Sequence, residues 1–130
     1  MGLTTTKIEL RNPRRPDLPA VEVDALADTG SDLMCIPPRL QRQLGLEEAE
    51  SRTIVLADGT RRSVPYVGPL QLRFANRTGF GGALVMGDQP LLGAIAMQDM
   101  DLVVIPRTRR VAVNPASPDA ATVSARRLAA

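Results

Sequence analysis

Val21-Glu22-Val23-Asp24-Ala25-Leu26-Ala27-Asp28-Thr29-Gly30-Ser31-Asp32-Leu33-Met34-Cys35-Ile36 is the stretch on which the reading of this chain turns. The apolar run Val21 to Leu26 leads into Asp28-Thr29-Gly30-Ser31, and a second, Leu33 to Ile36, leads out. A lone carboxylate is thereby placed on a tight turn between two strands. The turn chemistry is coherent. Gly30 tolerates the backbone angles of a sharp turn, and Thr29 and Ser31 offer short hydroxyls that can bond nearby backbone or the carboxylate. Such a turn can hold an acid rigidly, as acid/base catalysis requires; a turn aspartate that merely bonds its own backbone fits the same residues.

Upstream, Lys7 to Leu10 reads as a strand joined to Val21–Leu26 by the proline-rich loop Asn12 to Pro19, which has too many prolines to pair centrally. Downstream, Pro37-Pro38 and then Arg39 to Leu44 with Gly45 behind them read as a short helix, Pro at its start and Gly at its stop, with Leu40 and Leu44 on one face. Thr53 to Leu56 and Arg61 to Tyr66 flank Ala57-Asp58-Gly59-Thr60, a strong hairpin signal. A further hairpin joins Pro69–Ala75 to Phe80–Met86 through Asn76-Arg77-Thr78-Gly79. Gly79, Gly81 and Gly82 lack the following G-K-[ST] of a phosphate loop, so a turn with a bulge is the better reading. Leu91-Leu92-Gly93, the apolar-patterned segment Ala94 to Met100 and the strand-like run Leu102 to Ile105 come next, and Arg109 to Val113 can close the sheet. Many short strands, regular turns and one or two short helices predict an all-β domain, a closed antiparallel β-barrel, over residues 1-115. Residues 116-130, rich in small side chains, are expected to form a disordered tail or a weak helix from Ala120 to Leu128.

Composition removes whole classes of chemistry. The chain has 130 residues and no histidine, so Ser-His and Cys-His nucleophile systems and the imidazole ligands of most catalytic zinc sites are unavailable. Cys35 is the single cysteine, which rules out an internal disulfide and suits a reducing compartment; a buried small hydrophobe is its plain reading. Lys7 is the only lysine, and nothing in its spacing supports a dyad with Ser31. The net charge is +2, and the arginine pairs are dispersed, with only Tyr66, Phe74 and Phe80 able to stack on bases, so nucleic acid is not an expected partner. Met1 to Arg15 is polar and no window approaches a membrane span. A cytoplasmic location, with no membrane partner, is the expectation.

Ala27-Asp28-Thr29-Gly30-Ser31 resembles the active-site loop of the aspartic proteases, and Leu91-Leu92-Gly93, after the strand Ala83 to Met86, resembles a second landmark of the retroviral-type, or retropepsin-like, family and its bacterial branch. The similarity covers about Thr5 to Pro115. Viral members commonly carry an Arg directly after the late Gly, paired with the acid just beyond the catalytic turn; here Ala94 stands there and Asp32 lacks that partner. The resemblance implies a retropepsin-like fold acting as a homodimer. Each subunit would supply Asp28 to a dyad that hydrolyses peptide bonds of a peptide or protein substrate without metal or cofactor. It further implies that Thr29 braces the paired loops, Gly30 brings backbone close to substrate, and Ser31 bonds the outer oxygen of Asp28. Asp32, with Asp58 and Gly59 at the tip of a closing flap, is assigned to substrate binding, and Leu26, Ile54, Val64 and Ile95 are expected as pocket walls. The alternative is a non-catalytic dimeric peptide- or protein-binding module with the same fold.

Overall fold

The computed structural model describes residues 3–124. Strand β1 (Thr5–Arg11) pairs antiparallel with β2 (Val21–Ala27), and both obey the period of two. Ile8, Leu10 and Ala25 turn into the core, while Lys7 lies on the outer face against Glu22 and Asp24, at 3.9 and 3.3 Å. After the Asp28 turn come β3 (Met34–Ile36) and α1 (Pro38–Leu44). The helix stops as expected: Gly45 takes the left-handed conformation, φ 60°, and donates its N–H to the Arg42 carbonyl. Leu40 and Leu44 are both buried, on the predicted face.

Strand β4 (Glu47–Val55) forms the expected hairpin with β5 (Arg61–Phe74), and β5 continues into a second hairpin with β6 (Arg77–Val85). Three boundaries differ from expectation. β4 begins at Glu47, although Glu47 to Ser51 shows no apolar alternation, because this edge is exposed and is held by main-chain pairing with β5 alone. β5 runs unbroken through Pro65 and Pro69: Pro65 pairs in register with Ser51 of the edge strand β4, ahead of the β6 pairing that begins at Tyr66, and Pro69 lies where the register against β6 shifts between Val67 and Leu70, edges and bulges being where a sheet tolerates proline. Phe74 pairs directly with Arg77, so Ala75 and Asn76 alone make the turn, Ala75 at φ 50°.

β7 (Leu91–Leu92), α2 (Ala94–Asp99), β8 (Leu102–Ile105) and β9 (Arg110–Val113) complete the described elements. The main sheet has seven strands in the order β1-β2-β7-β3-β6-β5-β4, and β1 also pairs with β5. The pairing thus returns on itself around a core that includes Ile36, Val67, Leu70, Leu72, Leu92 and Met100.

The structure corrects the closed antiparallel barrel in two respects. β2–β7 and β3–β6 are parallel, so the sheet is mixed, and the closing strand is β1 rather than Arg109–Val113. β9 instead forms a separate two-stranded ribbon with β8.

Beyond β9, residues 114–122 have no regular secondary structure but are tied back by side chains. Asp101 accepts bonds from Asn114 Nδ2 and the Thr122 N–H, both at 3.0 Å, and from the Ser117 hydroxyl, while Asn76 Nδ2 donates to the Pro118 carbonyl at 2.9 Å. Arg77, 1% exposed, donates through Nη2 to the Ser117 carbonyl and lies 4.0 Å from the Asp101 carboxylate. The part of the expected tail and helix that falls on 125–130 lies outside the described residues.

Candidate active site

β7 is the element that builds the site. It lies between β2 and β3, the two arms of the Asp28 turn: Ala27 pairs parallel with Leu92, and Cys35 pairs antiparallel with Leu91. The Asp28 N–H donates to the Leu92 carbonyl at 3.0 Å, and the first turn of α2 takes over where β7 ends. The Ala94 N–H donates to the Ser31 carbonyl at 2.7 Å and the Ile95 N–H to the Asp32 carbonyl at 3.1 Å. A loop of small residues is therefore fixed at both ends by main-chain bonds.

Gly93 explains why this landmark ends in glycine. A Cβ there would stand 2.5 Å from the Leu33 carbonyl oxygen and 2.6 Å from that of Asp32, so the Asp28 loop packs this closely only on a bare α-carbon.

Within the loop, Oδ1 of Asp28 accepts the Gly30 N–H at 2.9 Å and Oδ2 accepts the Ser31 hydroxyl at 3.2 Å. Both carboxylate oxygens are oriented, and the group is half-buried. Thr29 is exposed. The two sides of the loop open onto different hollows. Gly30 to Leu33 border a cleft of about 470 Å³ whose other walls include Ile54 to Ala57 of the β4–β5 hairpin, Leu84 and Met86. Thr29 borders a groove of about 690 Å³ between α2, β8 and residues 122–124.

The sequence-assigned residues divide accordingly. Asp28, Thr29, Gly30, Ser31 and Asp32 come together on one loop. The β4–β5 hairpin faces them through Ile54 to Ala57, while Asp58 is spent on its own turn: Oδ1 accepts the Thr60 N–H at 2.9 Å and the Thr60 hydroxyl at 2.6 Å, which lowers the Asp58 pKa. Gly59 takes the positive φ, 84°, that the turn requires. Of the expected pocket walls, Ile54 lines the cleft, Val64 is buried in the core, and Ile95 stands exposed beyond Asp32.

Leu84, Met86 and Leu91 line the cleft without having been anticipated. They arrive through the parallel β3–β6 pairing and through β7, contacts between distant segments that no local pattern announces. Cys35 also lines the cleft, its thiol pushed up by burial and by the Asp28 charge. Among the described residues no cluster of three or more His, Cys, Asp or Glu side chains could hold a metal ion.

Comparison with solved structures shows the same fold in proteases of retroviral type. EIAV protease complexed with the inhibitor HBY-793 superposes with a TM-score of 0.61 at 17% sequence identity, over 80% of this chain and 93% of that one. The retroviral protease-like domain of Ddi1 from Leishmania major gives 0.58 at 11% identity, over 88% and 91%. No family model and no curated protein sequence matches the chain. The fold is retropepsin-like.

Proposed function

We propose that this chain is an aspartic-type endopeptidase that works as a homodimer. The observation that carries the reading is the Asp28 loop: a half-buried carboxylate with both oxygens oriented, clamped by β7 and α2 at the edge of an apolar cleft that a hairpin overhangs. One such loop supplies one carboxylate, and an aspartic dyad needs two. Two-fold pairing of two chains would bring both Asp28 side chains together, and the exposure of Thr29 at the mouth of the 690 Å³ groove leaves that side of the loop open for a second copy.

In such a dyad like charges cannot both ionise readily, so the pair holds one proton. The ionised Asp28 takes a proton from a water, whose oxygen attacks the scissile carbonyl carbon, while the protonated Asp28 of the other chain donates to the carbonyl oxygen. Collapse of the tetrahedral intermediate expels the amine, which leaves with a proton returned from the dyad. Ser31 holds the outer carboxylate oxygen, and the hairpin excludes water.

The second reading, a non-catalytic binding module, draws on the Gly30 N–H bond to Asp28 Oδ1, which would also serve a purely turn-capping aspartate. Incubation with a diverse peptide library, read by mass spectrometry, separates the two. The enzyme cleaves and its Asp28→Asn variant does not, whereas a module leaves the library intact in both forms.

A further inference from the structure

A second, smaller hollow adjoins the cleft on the outer side of Asp32, and its chemistry is distinct. About 110 Å³ in volume, it is walled by Asp32, Leu33, Tyr66, Phe80, Gly81 and Ile95. Asp32 and Leu33 border both hollows, so a side chain of a peptide bound along the cleft needs to reach only past this one stretch of the loop to enter the second. Phe80 and Ile95 are large apolar side chains left 63% and 55% exposed, an unusual outlay in a chain with so few aromatics. The flanking glycines keep the floor low: nothing lies within 4 Å of where a Gly81 side chain would start, and the Tyr66 ring occupies the place of the missing Gly82 side chain.

The carboxylate in this hollow is unspent. Asp32 is exposed, and among the described residues its side chain makes neither an ion pair nor a hydrogen bond; Ala94, which follows Gly93, offers it no charge. Asp99, whose Oδ2 accepts the Phe80 N–H at 3.3 Å, adds a second negative charge on the same flank. The nearby guanidinium of Arg52 is already engaged, stacked 3.9 Å above the centre of the Tyr66 ring and 3.4 Å from Glu50.

We infer that this hollow takes a lysine or arginine side chain of the bound peptide, its cation on the Asp32 carboxylate and its methylene stem along Ile95 and Phe80. Long basic side chains cover apolar surface with their stems while keeping the charge in contact with water or an acid, and an aromatic face adds attraction for the cation. An apolar side chain would desolvate Asp32 without compensation, and an acidic one would be repelled. The inference rests on reading the cleft as the peptide-binding cleft, and it makes Asp32 a specificity residue.

The test uses binding, so that it does not depend on cleavage. A positional peptide array is probed with the Asp28→Asn protein, with lysine, arginine, norleucine, glutamine and glutamate exchanged at each position. At one position lysine and arginine should be favoured over glutamine by roughly fivefold, the scale of a partly exposed ion pair, with norleucine no better than glutamine. Adding Asp32→Asn should bring that ratio close to one, and adding Asp32→Lys should shift the preference to glutamate. Phe80→Ala, at an exposed side chain, should weaken the preference without abolishing it. No bound peptide, no basic preference, or a preference indifferent to Asp32 overturns the inference. Cleavage of the same array by the unsubstituted protein reports separately on the protease reading: cleavage without basic preference refutes only the hollow's assignment, and an Asp32-dependent preference without cleavage refutes only the protease.

Discussion

Gly93 and Asp101 show how much rests on single residues, the first beneath the Asp28 loop and the second where residues 114–122 are tied to the fold. A methyl group at position 93 would have to displace the backbone of Asp32 and Leu33, with no flexible side-chain end to yield instead. Gly93→Ala is expected to cost about 1–3 kcal/mol, the usual scale of overpacking, and to depress activity by moving the Asp28 loop. Gly81→Ala, at a position with open space, should stay within about 0.5 kcal/mol. Urea denaturation of the two variants checks this, and equal losses would contradict it. Asp101 is held down to about 2 from an ordinary 3.8 by hydrogen bonds from Ser117, Asn114 and the Thr122 N–H, with the Arg77 charge adding to them. A depressed carboxylate contributes stability that is full above its unfolded value and is lost as pH falls through its folded one. Asp101→Asn should therefore be less stable than the parent at neutral pH, and the gap should narrow between pH 3.8 and about 2; a gap constant across that window, measured by denaturation midpoints, would contradict the assignment. Of these residues the sequence discloses Asp28 to Ser31, whose turn chemistry is local. It does not disclose the Asp101–Arg77–Ser117 cluster, because those side chains meet across long stretches of chain and each reads singly as a surface polar group.

The β4–β5 hairpin is the element whose behaviour the proposed function constrains most. Its tip is preformed, since Asp58 bonds Thr60 and the Leu56 N–H donates to the Thr60 carbonyl at 2.8 Å. Its outer strand, by contrast, is almost wholly exposed. Few buried contacts and main-chain bonds open to water mark a segment that opens at low cost. Amide hydrogen exchange across Thr53 to Tyr66 should slow when a peptide-like inhibitor with a tetrahedral hydroxyl group binds, and unchanged exchange with inhibitor bound at Asp28 would show that this hairpin is not a closing flap. The Asp-Gly pair made this hairpin legible, as Pro and Gly did for α1. Strand lengths were less legible: Glu47 to Ser51 carries no alternation because neither of its faces is buried, and Pro69 reads as the start of a new strand although a bulge carries β5 through it.

At the scale of the whole molecule, most strands were readable from the turns, but β5 was read as two strands, β7 was not read as a strand at all, and the arrangement of the sheet was not legible. Antiparallel neighbours follow from short hairpins, whereas the parallel β2–β7 and β3–β6 pairs join segments far apart in sequence. Those are the pairs that set Asp28 against the cleft. The remaining step, from one Asp28 per chain to a working dyad, lies between molecules, and it is the central claim. Mixing a fixed amount of the protein with increasing Asp28→Asn protein, and following cleavage of one peptide substrate, tests it most directly. Mixed dimers carry a single carboxylate, so activity should fall towards zero as the variant comes into excess. Activity that stays constant however much variant is added would mean that each chain acts alone, and a dyad shared between two chains would be excluded.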